Sequence, residues 1–397
     1  MIIGIDASRA NLIERTGTER YSFELISRWP RLRPDLHFRL YLREAPLADL
    51  RDLGPNVEIR VLAWLPRILW NLLRLSWEML WHPPDVLFVP AHTSPLIHPR
   101  HTVVTIHDVG FERFPELYSH TPIGSRKNWL RVFIRAATLG KYGNSELDYH
   151  RFAVRWALRT ASRIITISKF SAAEILNYFP YDARKLAVIP LGVTPRPRSS
   201  EPSPLPNPYT MFVGRLERKK NIANLVAAYA QYRTLTPNPV DLVLIGRPGT
   251  GFDEAKKIIA ARGLRDVVHQ FPWQPAPAID RFLTHARSFV FVSRYEGFGL
   301  PAIEAMAAGV PVLASTAGSL PEVCADAAIL VDPERVDDIA QGLLAVNHDE
   351  PRRAELVEQG RRRAAEFSWD RCAEQTLELL LSEGNVDLQN TAKIGTV

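Results

Sequence analysis

The fold class follows from residues 289–321, which read FVFVSRYEGFGLPAIEAMAAGVPVLASTAGSLP. The first four residues form a short run of β-branched and aromatic side chains, which predicts a buried strand. Residues 300–308 are rich in good helix formers and carry a proline in the first turn, where a missing N–H costs nothing. A second apolar run at 310–314 predicts the next strand. The stretch is therefore a strand–loop–helix–strand unit of an α/β sheet.

The loop between the predicted strand and helix has the chemistry of an anion site. Gly297 and Gly299 permit backbone conformations and close approaches that a side chain would block. The loop leads into a helix N-terminus, where free N–H groups and the helix dipole favour a phosphate. Glu304 lies one turn beyond Leu300 on the same helix face, and Glu296 ends the strand side of the loop. Two carboxylates around an anion site suit a ligand with a phosphate in the middle and hydroxyls at both ends, which describes a nucleotide-sugar.

A second anion site is predicted after the strand at 209–213. Gly214 and Arg215 follow this strand directly, and Lys220 comes five residues later, ahead of a predicted helix. Arg can chelate phosphate oxygens through two N–H groups, and Lys acts as a point charge. The group can therefore bind a diphosphate without a metal ion. The alternative interpretation is a run of solvated charges.

Two histidines of the first half follow predicted strands. The strand at 103–106 ends in His107 and Asp108, and the strand at 85–89 is followed by a loop containing His92. Ligands in open α/β sheets bind beyond the carboxyl ends of the strands, so both histidines lie in the predicted ligand layer. Gly17 lies in the corresponding loop after the first strand.

The sequence EGFGLPAIE, followed by GVPVLAS, resembles the donor-site signature of retaining glycosyltransferases of family 4. The resemblance covers roughly residues 1–380 and implies the GT-B fold, with two Rossmann-like domains that face each other across a cleft and a final helix that returns to the first domain. It implies that Glu304 binds the ribose hydroxyls and that Glu296 lies near the donor sugar. It further implies that the loop Gly297, Phe298, Gly299 and Leu300 contacts the sugar and the diphosphate.

The same resemblance assigns the remaining site residues. Arg215 and Lys220 match the family's diphosphate ligands beside Gly214, and Gly17 matches a glycine near the donor phosphates. His107 matches a histidine near the donor sugar and the acceptor. The candidate base-pocket residues are Phe271 and Trp273. The candidate acceptor ligands are His107, Asp108 and His92. The candidate catalytic residues are His107, Glu296, Arg215 and Lys220.

The implied reaction is glycosyl transfer with retention at the anomeric carbon. In a front-face mechanism a diphosphate oxygen deprotonates the acceptor, and Glu296 hydrogen-bonds the sugar hydroxyls; Glu296 acting as nucleophile is the alternative. The pattern is similar to bacterial mannosyltransferases of polysaccharide and lipopolysaccharide assembly. The first expected donor is GDP-mannose, with UDP-glucose or UDP-N-acetylglucosamine as the alternative. The acceptor is a glycan or a lipid-linked sugar, and no metal or other cofactor is expected.

Composition agrees with a two-domain globular protein of 397 residues. The two cysteines, Cys324 and Cys372, have no pairing or metal-ligand spacing, which favours a reducing compartment. The amino-terminal sequence MIIGIDASRA lacks the features of a signal peptide, and no long apolar run predicts a spanning helix. We therefore expect a cytoplasmic protein.

A segment rich in proline and serine, residues 194–208, marks the predicted domain boundary. The predicted organisation is a first domain at 1–193 with an insertion at about 118–148, a linker at 194–208, a donor-binding domain at 209–366, a returning helix at 367–384 and a disordered tail at 385–397.

Charge is distributed unevenly. Residues 1–200 hold 28 Lys and Arg against 18 Asp and Glu, whereas residues 201–397 hold 21 against 25. The basic half suits an anionic partner such as anionic lipid or a lipid-diphosphate acceptor, and scattered solvated arginines are the alternative. Two candidate amphipathic segments, 65–81 and 129–139, fit either contact with the inner face of the cytoplasmic membrane or packing within the domain. The insertion is alternatively a lid or an acceptor clamp.

Three other function classes fit parts of the sequence. A UDP-sugar epimerase would use a similar cleft and would release a free epimerised sugar. A non-catalytic sugar-nucleotide or lipid-binding module would tolerate loss of Glu296 and His107. A nucleic-acid binder would follow from the basic pI, but no basic run interleaved with aromatic residues supports it, so no nucleic acid is expected as a partner.

Overall fold

The computed structural model describes residues 1–64, 69–118 and 146–394. These residues form two compact units, each built on a parallel sheet. The first unit comprises residues 1–192 and the helix that begins at Trp369, and the second comprises residues 193–368. The predicted insertion at about 118–148 falls almost entirely outside the described residues, as does the candidate segment 129–139.

The first unit contains seven parallel strands in the order β3-β2-β1-β4-β5-β6-β7. The strands are β1 (Ile2–Asp6), β2 (His37–Leu42), β3 (Val57–Val61), β4 (Val86–Val89), β5 (Thr102–Thr105), β6 (Arg163–Thr166) and β7 (Leu186–Val188). Every residue of the central strands β4 and β5 is buried, because helices cover both faces of a parallel sheet. This is why these strands read as continuous apolar or β-branched runs.

Helices connect most successive strands of the first unit; the exception is the connection from β4 to β5, where residues 90–101 contain no helix. The α-helices are Gly17–Ile26, Trp29–Leu32, Ala48–Arg51, Leu75–Trp81, Gly110–Arg113, Glu146–Thr160, Lys169–Tyr178 and Trp369–Ile394, with a π-helical turn at Trp70–Arg74 and 3-10 turns at Pro115–Leu117 and Ala183–Lys185. Parallel strands need such crossovers, because the chain must return to the opposite end of the sheet before the next strand.

The second unit contains six parallel strands in the order β10-β9-β8-β11-β12-β13. The strands are β8 (Tyr209–Val213), β9 (Asp241–Ile245), β10 (Val268–Phe271), β11 (Ser288–Phe291), β12 (Val312–Ser315) and β13 (Ala328–Val331). The chain builds outward from β8 through β9 and β10, and then on the other side through β11, β12 and β13. The strand order therefore reverses between β8 and β11, which makes a topological switch point.

The helices of the second unit again follow the strands. The α-helices are Ile222–Leu235, Phe252–Ala261, Ala276–His285, Leu300–Ala307, Leu320–Cys324, Val336–His348 and Glu350–Ala365, with 3-10 turns at Arg218–Lys220 and Ala325–Ala327. With the first unit, they give the two Rossmann-like α/β sheets predicted from the sequence.

The segment predicted as a linker, 194–208, contains no helix or strand and runs against the helix Ala276–His285 of the second unit. The Ser199 N–H donates to Thr284 Oγ1 at 2.9 Å, and Arg281 Nε donates to the Pro202 carbonyl at 2.8 Å. The prolines prevent regular secondary structure, while these hydrogen bonds fix the path of the chain.

The final helix, Trp369–Ile394, packs on the first unit, as predicted. Trp29 Nε1 donates to the Ala373 carbonyl at 2.9 Å, and Arg163 pairs with Glu383 at 2.8 Å. The helix continues to Ile394, beyond the predicted end at 384, and residues 395–397 of the predicted tail lie outside the described chain. Gly384 does not end it; a Cβ there would lie 2.5 Å from Met1 Sδ, so the glycine permits close packing instead.

Within the segment predicted as a helix at 65–81, the α-helix begins at Leu75. Residues 65–68 lie outside the described chain, and a π-helical turn precedes the α-helix Leu75–Trp81. One face of the segment packs into the core through Trp70 and Met79. The opposite face remains exposed. Among the described helices, none combines the length and the apolar composition needed to cross a membrane.

Candidate functional site

The switch point of the second unit determines where a ligand is expected. The loops that follow β8 and β11 leave neighbouring strands at the carboxyl edge of the sheet and diverge from there. Crevices of this kind bind ligands in open α/β sheets. Both predicted anion sites lie in these two loops.

The loop after β8 depends on close approach between glycines. A Cβ on Gly246 would lie 1.8 Å from the Gly214 carbonyl oxygen, so the loops after β8 and β9 pack together only with glycine at position 246. Backbone hydrogen bonds join the same loops: the Gly214 N–H donates to the Ile245 carbonyl at 3.0 Å and the Leu216 N–H to the Arg247 carbonyl at 2.9 Å. The backbone that carries the candidate phosphate ligands is therefore fixed.

The two cations of this loop differ in environment. The Arg215 side chain is 70% exposed, and its Nε lies 3.5 Å from Glu217 Oε2 in its own loop. The Lys220 side chain is only 17% exposed. Asn221 adopts a left-handed backbone conformation after Lys220, and its side-chain amide donates to the Pro333 carbonyl at 2.6 Å. Arg215 is thus an exposed cation at the edge of the site, and Lys220 is a shielded one inside it.

Lys220 meets Glu296 from the loop after β11. The Lys220 Nζ lies 2.5 Å from Glu296 Oε1, and the same nitrogen stands 5.3 Å from the Phe291 ring centroid. The Glu296 side chain is even more shielded from solvent than Lys220, with 10% of its surface exposed. Two residues that the sequence places in separate motifs are therefore in direct contact, with one cation and one carboxylate facing each other at the switch point.

The backbone of Glu296 is held by residues that the sequence analysis did not assign to the site. The Ser319 N–H and its Oγ each donate to the Glu296 carbonyl at 3.1 Å. A Cβ on Gly318 would lie 2.7 Å from the Glu296 N and O atoms, and Gly318 has φ +65°. The Thr-Ala-Gly-Ser sequence after β12 predicts a loop at the strand end, since clusters of Ser, Thr and Gly between periodic segments are loops, but it does not indicate the contact with Glu296.

The glycine loop leads into the helix Leu300–Ala307 as predicted. Gly299 has φ +97°, and a Cβ there would lie 2.5 Å from Leu320 Cδ2. Phe298 is buried, and its ring packs edge-on against Phe367 at 5.4 Å. Gly297 is buried in the same loop, and Leu300 is partly exposed at the start of the helix. The loop is therefore anchored through its aromatic side chain.

Glu304 contacts a residue outside the predicted site. Its Oε2 lies 3.0 Å from Arg196 Nη2, and Arg196 belongs to the segment predicted as a linker. No pattern in the sequence indicated this pair, because an arginine among prolines and serines resembles an ordinary surface residue.

The predicted base-pocket residues lie at the end of β10. The Phe271 carbonyl accepts a hydrogen bond from the Gly246 N–H at 3.0 Å. The Phe271 ring packs against that of Phe282, with 4.9 Å between the ring centroids. Trp273 is 38% exposed. Phe271 thus braces the glycine loop after β9, whereas Trp273 is accessible for stacking.

His107 of the first unit is held in one orientation. Its Nε2 donates to the Pro90 carbonyl at 3.0 Å, and Tyr21 packs edge-on against its ring at 5.0 Å. Burial lowers the pKa of His107, so the imidazole is neutral near pH 7. Because Nε2 carries the proton, Nδ1 is the hydrogen-bond acceptor of this ring.

The other candidates of the first unit lie around the same edge of the sheet. His92 Nε2 lies 2.8 Å from His150 Nδ1, and burial, together with His150, lowers the pKa of His92 to about 3. Asp108 Oδ1 accepts the Gly110 N–H at 3.0 Å and thereby braces its loop. Gly17 starts the helix Gly17–Ile26, with no atom near its pro-Cβ position. His150, which lies on the helix Glu146–Thr160, is not among the site residues predicted from the sequence.

The described residues contain no group of three or more His, Cys, Asp or Glu side chains arranged to hold a metal ion. Cys324 and Cys372 are both buried and unpaired, and burial raises the pKa of each thiol to about 12. Neither thiol is therefore a nucleophile at neutral pH.

Two family models match the chain, one on each half. Residues 15–196 match the model of Glycosyltransferase Family 4, and residues 194–363 match that of Glycosyl transferases group 1. Together these matches cover every candidate site residue, the whole second sheet and all strands of the first sheet except β1.

Curated relatives include several glycosyltransferases. The chain is 28% identical over 393 residues to O-antigen chain mannosyltransferase B of Escherichia coli, covering 91% of this chain and 95% of that protein. It is 34% identical over 224 residues to MMP alpha-(1->4)-mannosyltransferase of Mycolicibacterium hassiacum, covering 55% and 54%. A D-inositol 3-phosphate glycosyltransferase of Arthrobacter is 32% identical over 55% of each chain. The chain thus spans nearly all of the first relative and about half the length of the other two.

Solved structures with the same fold have low sequence identity. Sucrose-phosphate synthase from Thermosynechococcus elongatus gives a TM-score of 0.70 at 20% identity, over 96% of this chain and 98% of that one. WaaG, a glycosyltransferase involved in lipopolysaccharide biosynthesis, gives 0.68 at 14% identity, over 96% and 99%. Anabaena HepE in complex with UDP and glucose gives 0.67 at 20% identity, over 96% and 99%. At these identities the likeness establishes the fold.

Proposed function

Because the chain belongs to the glycosyltransferases of family 4 and has their GT-B fold, we propose that its second unit binds a nucleotide-sugar. The sugar passes to a glycan or a lipid-linked acceptor in the assembly of a cell-surface polysaccharide. The observation that carries the donor site is the contact between Lys220 and Glu296 at the switch point of the second sheet.

The diphosphate of the donor is assigned to Lys220 and Arg215. Lys220 is shielded from water, so its charge acts on a phosphate oxygen more strongly than it would in solvent. Arg215 is exposed and has the reach and the paired N–H groups to close over the other phosphate. The amides around Gly297 and Gly299 add donors at the N-terminus of the helix Leu300–Ala307.

The two carboxylates are assigned to opposite ends of the donor. Glu304 accepts the ribose hydroxyls, and Glu296 accepts hydroxyls of the sugar. The ion pair between Glu296 and Lys220 makes Glu296 a weak nucleophile, since a neighbouring cation stabilises the carboxylate in its ground state. Hydrogen bonding to the sugar is therefore favoured over a covalent glycosyl-enzyme.

We assign a retaining front-face reaction. The bond from the anomeric carbon to the diphosphate oxygen breaks, the acceptor oxygen bonds to the same face of that carbon, and the acceptor proton moves to a diphosphate oxygen. Lys220 and Arg215 stabilise the charge that develops on the leaving group, the task that a metal ion performs elsewhere, so no metal is needed. His107 is assigned to a sugar or acceptor hydroxyl through Nδ1, because its neutral ring holds its proton on Nε2. His92 and Asp108 complete the proposed acceptor side.

The first donor candidate is GDP-mannose, because two relatives are named mannosyltransferases. UDP-glucose is the second candidate, since one structural neighbour is described in complex with UDP and glucose. UDP-N-acetylglucosamine remains a third candidate from the sequence resemblance.

A thermal-shift panel of GDP, UDP, GDP-mannose, UDP-glucose and UDP-N-acetylglucosamine, with EDTA and then with magnesium, tests the donor site. A ligand present at 100 times its Kd stabilises the folded state by about 2.7 kcal/mol, so nucleotides of one base are expected to raise the melting temperature. Magnesium should add nothing. Arg215→Ala should remove most of the shift without changing the melting temperature of the free protein, because Arg215 is exposed. No shift with any nucleotide, or a shift only with magnesium, contradicts the assigned site.

We also propose a cytoplasmic location with contact at an anionic membrane surface. Trp77 and Trp81 are 61% and 62% exposed on one face of the helix Leu75–Trp81, with Leu73 and Leu80 beside them. Exposed tryptophans next to a basic half suit the interface between water and anionic lipid headgroups.

Co-sedimentation with vesicles tests this contact. The protein is expected to bind phosphatidylglycerol vesicles better than phosphatidylcholine vesicles, and Trp77→Ala/Trp81→Ala should weaken that binding about tenfold or more, given the apolar area lost. Leu235→Ala, an exposed apolar residue of the second unit, serves as control. Equal binding by the double variant and the wild type argues against the contact.

A further inference from the structure

Arg196 joins two carboxylates of the second unit. Its Nη1 lies 2.7 Å from Asp280 Oδ1 on the helix Ala276–His285, and its Nη2 lies 3.0 Å from Glu304 Oε2 on the helix Leu300–Ala307. The three side chains are only 11%, 15% and 13% exposed. One guanidinium thus ties the helix of the proposed ribose ligand to a neighbouring helix.

The backbone that carries Arg196 is fixed on both sides. The Val193 N–H donates to the Phe367 carbonyl at 3.2 Å, and the Ser199 N–H donates to Thr284 Oγ1 at 2.9 Å. Phe367 in turn packs against Phe298 of the glycine loop. The arginine therefore reaches Glu304 from an anchored segment, although the sequence of that segment is typical of a linker.

The charges of the cluster favour this arrangement. Burial works against the charged guanidinium, but Glu304 and Asp280 outweigh it and raise the pKa of Arg196. The Arg196 Nε is buried and has no hydrogen-bond partner among the described residues. The guanidinium is thus held by two carboxylates. Because the guanidinium is planar and its N–H groups point in fixed directions, it orients both carboxylates.

We propose that Arg196 is the positioning residue that orients the Glu304 carboxylate toward the ribose of the nucleotide. The inference rests on the ribose role proposed for Glu304. A glutamate on an open helix face samples several rotamers, and fixing it costs affinity when the ligand binds. Arg196 holds Glu304 Oε2 before the nucleotide arrives, so the Glu304 side chain loses little further conformational entropy on binding. The oriented carboxylate then favours ligands that carry ribose hydroxyls.

The ratio of the affinities for a ribonucleotide and for the matching dideoxynucleotide measures how well Arg196 orients Glu304. Affinities are compared for GDP or UDP, whichever the wild type binds, and for the matching 2′,3′-dideoxynucleotide. We expect the wild type to prefer the ribonucleotide by about 100-fold, as for two charge-assisted hydrogen bonds, and Arg196→Gln to reduce that preference to below about tenfold. Binding of the dideoxynucleotide should change little, because it has no hydroxyl for Glu304 to accept.

Three further variants define the comparison. Arg198→Gln, an exposed arginine of the same segment, should keep the full preference. Arg196→Lys keeps the charge but loses the planar guanidinium, so an intermediate preference for the ribonucleotide is expected. Asp280→Asn removes the other carboxylate and leaves the pair between Arg196 and Glu304, so most of the preference should remain.

The outcomes separate this inference from the proposed function. If Glu304→Ala keeps the preference for ribose, the ribose role itself is wrong. If Glu304→Ala loses the preference and Arg196→Gln and Arg196→Lys keep it, the role of Arg196 is overturned while the donor site stands. An equal loss of affinity for both nucleotides in the Arg196 variants, with a lower melting temperature, also overturns the inference, because it shows a purely structural role.

Discussion

Glu304→Ala is expected to raise the KM for the donor about 100-fold, with a smaller effect on kcat. The carboxylate is proposed to accept two ribose hydroxyls, and each hydrogen bond to a charged group contributes about 1.5–3 kcal/mol. These contacts lie far from the reacting bond and act equally in the ground state and the transition state, so they lower KM rather than raise kcat. Initial rates of nucleoside diphosphate release over a range of donor concentrations measure both constants.

The control for Glu304→Ala is Glu254→Ala. Glu254 is an exposed carboxylate of the same unit that pairs with Arg218, and its loss should change KM by less than about twofold, since exposed ion pairs contribute little. The Glu304 variant should remain folded, because Arg196 keeps its pair with Asp280. An unchanged KM in a folded Glu304→Ala protein would remove Glu304 from the donor site.

Lys220→Ala is expected to have the largest effect on kcat, a loss of about 100- to 1,000-fold, the range seen when one donor to a developing negative charge is removed. Charge accumulates on the diphosphate as the glycosidic bond breaks, so Lys220 acts mainly in the transition state. The substitution also leaves Glu296 without its cation in a site shielded from solvent. Single-turnover rates at saturating donor measure the chemical step directly.

Two comparisons make the Lys220 result interpretable. Arg218→Ala removes a cation of the same turn that pairs with exposed Glu254, and a change below about twofold is expected, as for a surface ion pair. Lys220→Arg keeps the charge and should recover part of the rate. If Lys220→Ala is folded and turns over within a few-fold of the wild type, another group must stabilise the leaving diphosphate.

The fold was predictable because its signals are local. The apolar runs at β4, β8 and β11 are strands buried on both faces, and such strands read as continuous β-branched or aromatic runs. Gly299 is predictable as a loop residue for a similar reason, since its positive φ favours glycine whatever the surrounding fold. The two-sheet architecture is confirmed by the strand order in each unit.

The unpredicted parts of the site depend on contacts between distant segments. Arg196 reaches Glu304, and Ser319 braces Glu296, through contacts that leave no periodicity in the sequence. His150 meets His92 only because two elements pack at one edge of the first sheet. Gly384 lies at the predicted end of the final helix, whereas in the structure its missing side chain permits close packing against Met1. In each case the role of the residue depends on a neighbour in the tertiary structure that lies far away in the sequence.

Hydrogen–deuterium exchange with and without a saturating donor nucleotide tests the donor site directly. We expect slower exchange in peptides that span residues 214–222 and 294–306, because the ligand holds these loops and the first turn of the helix Leu300–Ala307 in place. The helix Glu350–Ala365 should be unchanged. Protection confined to the first unit, or absent from both loops while the nucleotide is bound, would contradict a donor site at the switch point between β8 and β11.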